Sequence, residues 1–222
     1  VICTDKTGTL TRNEMTARRI DTQGHHLAVS GAGYAPEGVL EAVDDDAAAI
    51  AEALPLLRCG VLCNDASLTQ QGGSWRVTGD PMEGALITLA HKAGLDAAHV
   101  RSEWPRLDEI PFDEAHRYMA ALHRGPGGEH FAFVKGAPEV LASLADLTTD
   151  EHRRLTADVE RLAAQGLRTL VAATATVPNQ ELDRDLLADH LVGLRLVGLV
   201  GIMDPPRPQA RDAVAICGRA GI

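Results

Sequence analysis

Apolar positions recur with two different periods along this chain, and each period predicts an element. Residues 17–29 alternate loosely about Gln23-Gly24, as a β-hairpin does. Residues 30–44 carry several glycines and Pro36 and read as loop. From Asp44-Asp45-Asp46 to about Cys63 the spacing becomes helical, with acidic residues at the positive end and Pro55 expected to break or kink the run. A short strand over 75–77 follows the Gly72-Gly73 turn, and Asp80-Pro81-Met82-Glu83 opens a helix reaching about Ala93. Strands are predicted over 107–112, 118–123 and 131–134, the last two joined by Gly125-Pro126-Gly127-Gly128. A short helix over 138–144 precedes a longer one, capped by Thr149 or Asp150 and stopped at Gly166. Strands over 169–175 and 194–202 flank an acidic, helix-like stretch at 180–190, and a last helix covers 208–218. At the start, the apolar run Val1-Ile2-Cys3-Thr4 reads as a strand running into a turn.

The pattern is thus mixed α+β, and 222 residues suffice for one sizeable core or for one domain with pieces of another. No apolar stretch reaches the roughly 18 residues of a membrane span, and no signal peptide is visible. A net charge of −10 and an aromatic content of 3% exclude a typical nucleic-acid binder. The four cysteines show no disulfide framework, in keeping with a reduced, cytoplasmic setting. Cys59 and Cys63 lie four apart on the predicted helix without a second ligand pair, and read as buried small hydrophobes rather than a zinc site.

One compositional bias changes the picture. Only three lysines, Lys6, Lys92 and Lys135, stand beside 18 arginines. A chain so biased keeps lysine where a compact, flexible ammonium is needed. Lys6 lies in Asp5-Lys6-Thr7-Gly8-Thr9-Leu10-Thr11, and Lys135 in Lys135-Gly136-Ala137-Pro138-Glu139. Lys92 sits on an amphipathic helix and is expected in solvent. In the first motif a carboxylate stands at the end of an apolar run, where it can attack a phosphoryl group and carry it as an acyl phosphate. Lys6 offsets charge on the phosphoryl oxygens, Gly8 permits the tight turn, and Thr7 and Thr9 offer hydroxyl and amide contacts. Read as structure alone, Asp5 would be an ordinary capping residue.

The first motif resembles that of the P-type ATPases, ion pumps that phosphorylate themselves on its aspartate. The resemblance implies that Asp5 is phosphorylated, and that Asp5 and the Thr7 carbonyl help hold Mg²⁺. The related haloacid-dehalogenase phosphatases keep a second Asp two residues later; Thr7 stands there, so an acyl phosphate should persist. The family inserts its nucleotide-binding domain, an antiparallel sheet flanked by helices, into an α/β haloacid-dehalogenase-like phosphorylation domain. Residues 1–12 and 203–222 would then be two pieces of the latter, and 13–202 the insert. Asp204-Pro205-Pro206-Arg207 matches the family's hinge segment.

The resemblance also names a nucleotide site. Lys135 and Gly136 match the motif that lines the ATP pocket. Phe112, in Ile110-Pro111-Phe112-Asp113-Glu114, matches the residue that stacks on adenine, with a core position as its alternative. Arg117 fills a basic position that approaches the phosphates. Other members carry an arginine where Glu114 stands, so no role passes to Glu114. Glu83 matches the residue that reaches the adenine amino group; equally, Asp80, Pro81 and Glu83 form a capping-box pattern that needs no ligand. Arg168 matches a residue touching phosphates or ribose, with a plain helix stop and strand as its alternative. Leu62-Cys63-Asn64-Asp65 reads as a capped helix end.

The implied whole is a type II-like cation pump, since the heavy-metal branch's His-Pro nucleotide motif is absent. Its partners would be ATP or ADP and the pump's remaining phosphorylation, actuator and transmembrane domains, with this chain on the cytoplasmic side. Because the chain starts without Met and stops just past a helix, it reads as an excised piece that binds ATP weakly to moderately, largely without Mg²⁺, and forms no phosphoenzyme. A soluble phosphatase with a large cap and a non-catalytic nucleotide sensor are the alternatives.

Overall fold

The computed structural model describes residues 2–43, 48–178, 191 and 193–222, with the Thr7 side chain excepted. Among the described residues, ten strands and six α-helices follow in order: β1 (Thr16–Asp21), β2 (His26–Val29), β3 (Leu40–Ala42), α1 (Ala49–Leu62), β4 (Ser67–Gln71), β5 (Ser74–Thr78), α2 (Pro81–Lys92), α3 (Ala97–Glu103), β6 (Arg106–Ile110), β7 (Tyr118–Arg124), β8 (His130–Gly136), α4 (Pro138–Leu144), α5 (Thr149–Ala164), β9 (Arg168–Val177), β10 (Arg195–Met203) and α6 (Pro208–Arg219). Eight strands form one antiparallel sheet in the order β3-β2-β1-β10-β9-β8-β7-β6, and β4-β5 is a separate hairpin. Helices cover both faces, the arrangement that the family resemblance implies.

The two faces follow from strand alternation. On β8, Phe133 packs with α1, α2 and α3, while Ala132 and Val134 pack toward α4 and α5. On the first face α1 carries most of the core, with Ala53, Leu56, Leu57, Cys59 and Leu62 all at 1% exposure or less. On the second, Leu141, Leu155 and Leu162 cover Val171 and Ala173. The chain's outer segments enter and leave the sheet side by side, because β1 pairs with β10 from Thr16↔Met203.

Several expectations need correction. No strand forms at Ile2–Thr4; these residues are exposed, and among the described residues nothing pairs with them. An apolar run becomes a strand only where neighbours supply its ladder hydrogen bonds. Pro55 does not break α1, which runs through it. The missing N–H removes one helical hydrogen bond, and burial of the flanking turns outweighs that loss. The loop expected at 30–44 includes β3, and β4 and α3 went unforeseen. The expected strand over 107–112 ends at Ile110, and α5 is capped one residue early, by Thr148 in a capping box with Glu151. Lys92 is half-buried, and its Nζ donates to the Ser30 carbonyl at 2.7 Å. Burial pushes its pKa down, with Arg18 adding to the effect. The helix-like stretch at 180–190 and the Asp44-Asp45-Asp46 helix start lie outside the described residues.

Cys59 and Cys63 are buried, as expected of small hydrophobes. Their thiols donate to backbone carbonyls of β7 and β8, Cys63 to Met119 at 3.3 Å and Cys59 to Val134 at 3.4 Å. Burial pushes both pKa values up, that of Cys63 to about 11. At neutral pH iodoacetamide is therefore expected to label exposed Cys3 quickly and Cys59 and Cys63 only after denaturant is added. Peptide mass spectrometry checks this, and rapid native labelling of Cys63 would contradict the packing.

Candidate functional site

The register brings most of the sequence-selected residues to one end of the sheet. Lys135 pairs with Met119 and Ala172, and Gly136 with Tyr118 and Val171. Arg117 immediately precedes β7, Phe112 lies two residues beyond β6, and Arg168 opens β9. The strands alternate in direction, so the ends of β6 and β8 and the starts of β7 and β9 coincide. Neighbouring strands are about 4.8 Å apart, so β6 to β9 spans roughly 14 Å.

Lys135 forms the floor of this end. Alternation turns its side chain to the same face as Phe133, toward α1 and α2. It is 6% exposed. Its Nζ donates to the Cys63 carbonyl, to Glu83 Oε1 at 2.5 Å and to Met119 Sδ at 3.4 Å. The Cys63 carbonyl belongs to the last turn of α1, which ends inside the protein with its acceptors otherwise unpaired. Further side chains from α3, β6 and β7 serve that turn. Arg101 donates to Val61, Asn64 and Ala66 carbonyls, and Arg106 to those of Leu62 (3.0 Å) and Asn64 (2.9 Å). Both ring nitrogens of His123 face carbonyls, Leu62 at 3.1 Å and Trp104 at 2.8 Å. Burial pushes the His123 pKa down, and these two acceptors oppose that shift.

Cations gathered at a helix C-terminus suit its dipole but need counter-charges when buried. Glu83 answers Lys135, and Asp65 answers Arg106 at 2.6 Å. Glu83 shows how far the capping-box reading holds. Asp80 caps α2 by accepting from the Met82 and Glu83 amides at 2.8 and 3.1 Å. The Glu83 carboxylate does not return to Asp80; it takes Lys135 and the Asp65 N–H (3.0 Å) instead. Asn64 locks the arrangement by donating to Gly60 and Glu83 carbonyls and accepting from the Ala66 N–H.

The other selected groups at this sheet end are open. Phe112 is 59% exposed, which excludes its core alternative. Arg117 has φ +55°, unusual for a residue other than glycine, and sits in a turn where its N–H donates to Asp113 at 2.7 Å. Its carbonyl accepts from Ala137, and its guanidinium meets Glu139 Oε1 at 2.6 Å. Gly136 is required here sterically, since a Cβ would stand 2.7 Å from both the Arg117 carbonyl and Tyr118 Cβ. Arg168 is exposed.

The Asp5 motif lies beyond the same sheet end, before β1. Residues Lys6–Leu10 form a single π-helical turn with Asp5 as its cap, Oδ1 accepting from the Lys6 N–H at 2.7 Å. Gly8 has φ +77°. Thr11 closes the turn and donates to Asp204 Oδ2 at 2.6 Å, while Arg207 donates to the Thr11 and Gly8 carbonyls. The motif is thereby stapled to the Asp-Pro-Pro-Arg segment. Asp5, Lys6 and Thr9 are exposed. Among the described residues no hydrogen bond joins this turn to Lys135, Glu83 or Arg117. Sequence reasoning missed Arg101, Arg106, His123 and Glu139; only Glu139 lay inside a selected motif.

Removing one partner of the buried pair is expected to destabilise strongly. Glu83→Ala strands an ammonium, with a loss on the order of 3–5 kcal/mol, and Lys135→Met with Glu83→Leu together should recover part of it. Urea unfolding of the single and double variants checks this; equal, additive losses would contradict a coupled pair.

With this geometry in view, comparison with known proteins gives a consistent answer. A family model described as P-type ATPase, cytoplasmic domain N, matches residues 53–209. The chain is 42% identical over 240 residues to "Cation-transporting ATPase pma1" of Synechocystis sp., covering 100% of this chain and 26% of that protein. It is 38% identical over 237 residues to "Probable cation-transporting ATPase F" of Mycobacterium tuberculosis and 34% over 235 to "Calcium-transporting ATPase" of Bacillus subtilis, with the same coverage. It thus spans about a quarter of the length of these curated relatives. Among the described residues no helix is long and apolar enough to cross a membrane. The match over most of the chain and the helix-flanked antiparallel sheet agree, and the chain belongs to the P-type ATPase cytoplasmic domain N family.

Proposed function

We propose that this chain is the ATP-binding unit of a P-type cation-transporting pump, in which Asp5 accepts the γ-phosphoryl group. The observation that carries the reading is the contrast at one sheet end: a buried Lys135–Glu83 pair together with an exposed phenylalanine and an exposed arginine. An exposed aromatic face beside a fixed hydrogen-bonding pair suits a purine, with Phe112 stacking and Glu83 accepting from the exocyclic amine. Arg117 and Arg168 then face the phosphates and ribose. ATP or ADP is the ligand of this site.

Residues 1–12 and 203–222 are assigned to a phosphorylation domain and 13–202 to the nucleotide-binding insert. The side-by-side exit of β1 and β10 and the Thr11–Asp204–Arg207 staple support that division. Asp5 is suited to nucleophilic attack because its carboxylate is exposed and only Oδ1 is engaged among the described hydrogen bonds. Thr7 stands where the phosphatases carry a second acid, which favours a pump over a phosphatase.

Mg²⁺ fits this setting in part. It typically takes one or two carboxylates with phosphate oxygens and water, and Asp5 with the Thr7 carbonyl can supply the protein's share. The ion would neutralise charge between the carboxylate and the nucleotide phosphates. Membrane transport, the other pump domains and a cytoplasmic placement belong to the same proposal, drawn from the family.

Titration with ATP should shift amide resonances of residues 112–118 and 135–137, with adenosine reproducing the shifts near Phe112. Phe112→Ala is expected to weaken ATP binding by about 1–3 kcal/mol without altering the fold. Unchanged spectra at millimolar ATP, or equal affinity of the variant, would refute the reading.

A further inference from the structure

Arg117 is already occupied. Its guanidinium meets the Glu139 carboxylate at 2.6 Å, and both side chains are more than half exposed. The backbone on each side is fixed. Arg117 emerges from a turn closed by Asp113, which accepts from the amides of Arg117 and, through its side chain, of Ala115, both at 2.7 Å. The Arg117 carbonyl is pinned by the Ala137 N–H at 3.0 Å, one residue before α4 starts. Glu139 stands in the first turn of that helix, where the dipole favours a carboxylate. Cation and anion are therefore held opposite each other by backbone contacts, not by chance meeting of two mobile side chains.

We propose that Glu139 is a built-in competitor for the phosphate chain, holding Arg117 and releasing it only to a more highly charged anion. This rests on the nucleotide reading above. A triphosphate brings more charge and more acceptor oxygens than one carboxylate, so it displaces Glu139 where a weaker anion gains less. The chain's net charge of −10 repels a highly charged anion, so a cation freed from Glu139 counts for more against that background. Glu139 is thus a positioning residue that acts through Arg117 and sets discrimination by ligand charge, while adenine recognition is left to other groups.

The test measures affinities of ATP, ADP and adenosine for the wild-type chain, Glu139→Gln, Arg117→Gln and the double variant. Exposed ion pairs are weak, so Glu139→Gln should tighten ATP by roughly two- to fivefold, ADP by less, and adenosine not at all. The gain should vanish in the Arg117→Gln background and shrink toward 1 M salt, where the Debye length is about 3 Å. Weaker ATP binding by Glu139→Gln, an equal change for adenosine, or a gain persisting without Arg117 would overturn the proposal while leaving the nucleotide reading intact. If the wild-type chain binds no ATP, both fall together.

Discussion

The site depends on where α1 ends. Its last turn finishes inside the protein, so the carbonyls of Val61, Leu62 and Cys63 must find donors there or carry a desolvation penalty of about 1–3 kcal/mol each. The chain answers with Arg101, Arg106, His123 and Lys135, drawn from α3, β6, β7 and β8. That choice fixes much of what surrounds it. Cations brought to the helix end need anions, and the anions come from Asp65 and from Glu83 at the start of α2. The helix terminus, the sheet end and the start of α2 are thereby held in one hydrogen-bonded unit. A structural necessity and a candidate ligand floor are the same set of atoms.

This also explains why lysine is kept at 135 in an arginine-rich chain. The space between the Cys63 carbonyl, Glu83 and Met119 is buried, and a single ammonium with three donors can serve all three at once. A planar guanidinium fans its donors in one plane and suits the more open positions of Arg101 and Arg106, which bridge several carbonyls each. Gly136 follows for a related reason: the chain turns out of β8 against Arg117 and Tyr118 with no room for a side chain.

Much of this was legible in the sequence, and the misses have physical causes. The long central strands are covered on both faces and read directly as near-continuous apolar runs. β4 is almost wholly exposed and polar, β3 has three residues and α3 seven, so none leaves a clear periodic signal. The strand expected at Ile2–Thr4 failed because an apolar run states a tendency, while strand formation needs partners elsewhere. Lys135, Gly136 and Arg117 were visible through their motifs. The partners that define their state were not: Cys63 is 72 residues and Glu83 52 residues from Lys135. Glu83 is the instructive case, since its local pattern fits a capping box and the tertiary ion pair overrides half of it.

The Lys135 ammonium is fixed by Glu83 and the α1 terminus, and the proposed nucleotide site rests on that fixed group. The chain's three lysines make this directly measurable by NMR of the side-chain ammonium groups. One slowly exchanging ammonium signal is expected at neutral pH, assigned by its loss in Lys135→Arg, broadened in Glu83→Gln and shifted by ATP. Three fast-exchanging ammonium groups, or a protected Lys135 signal indifferent to saturating ATP, would contradict the account.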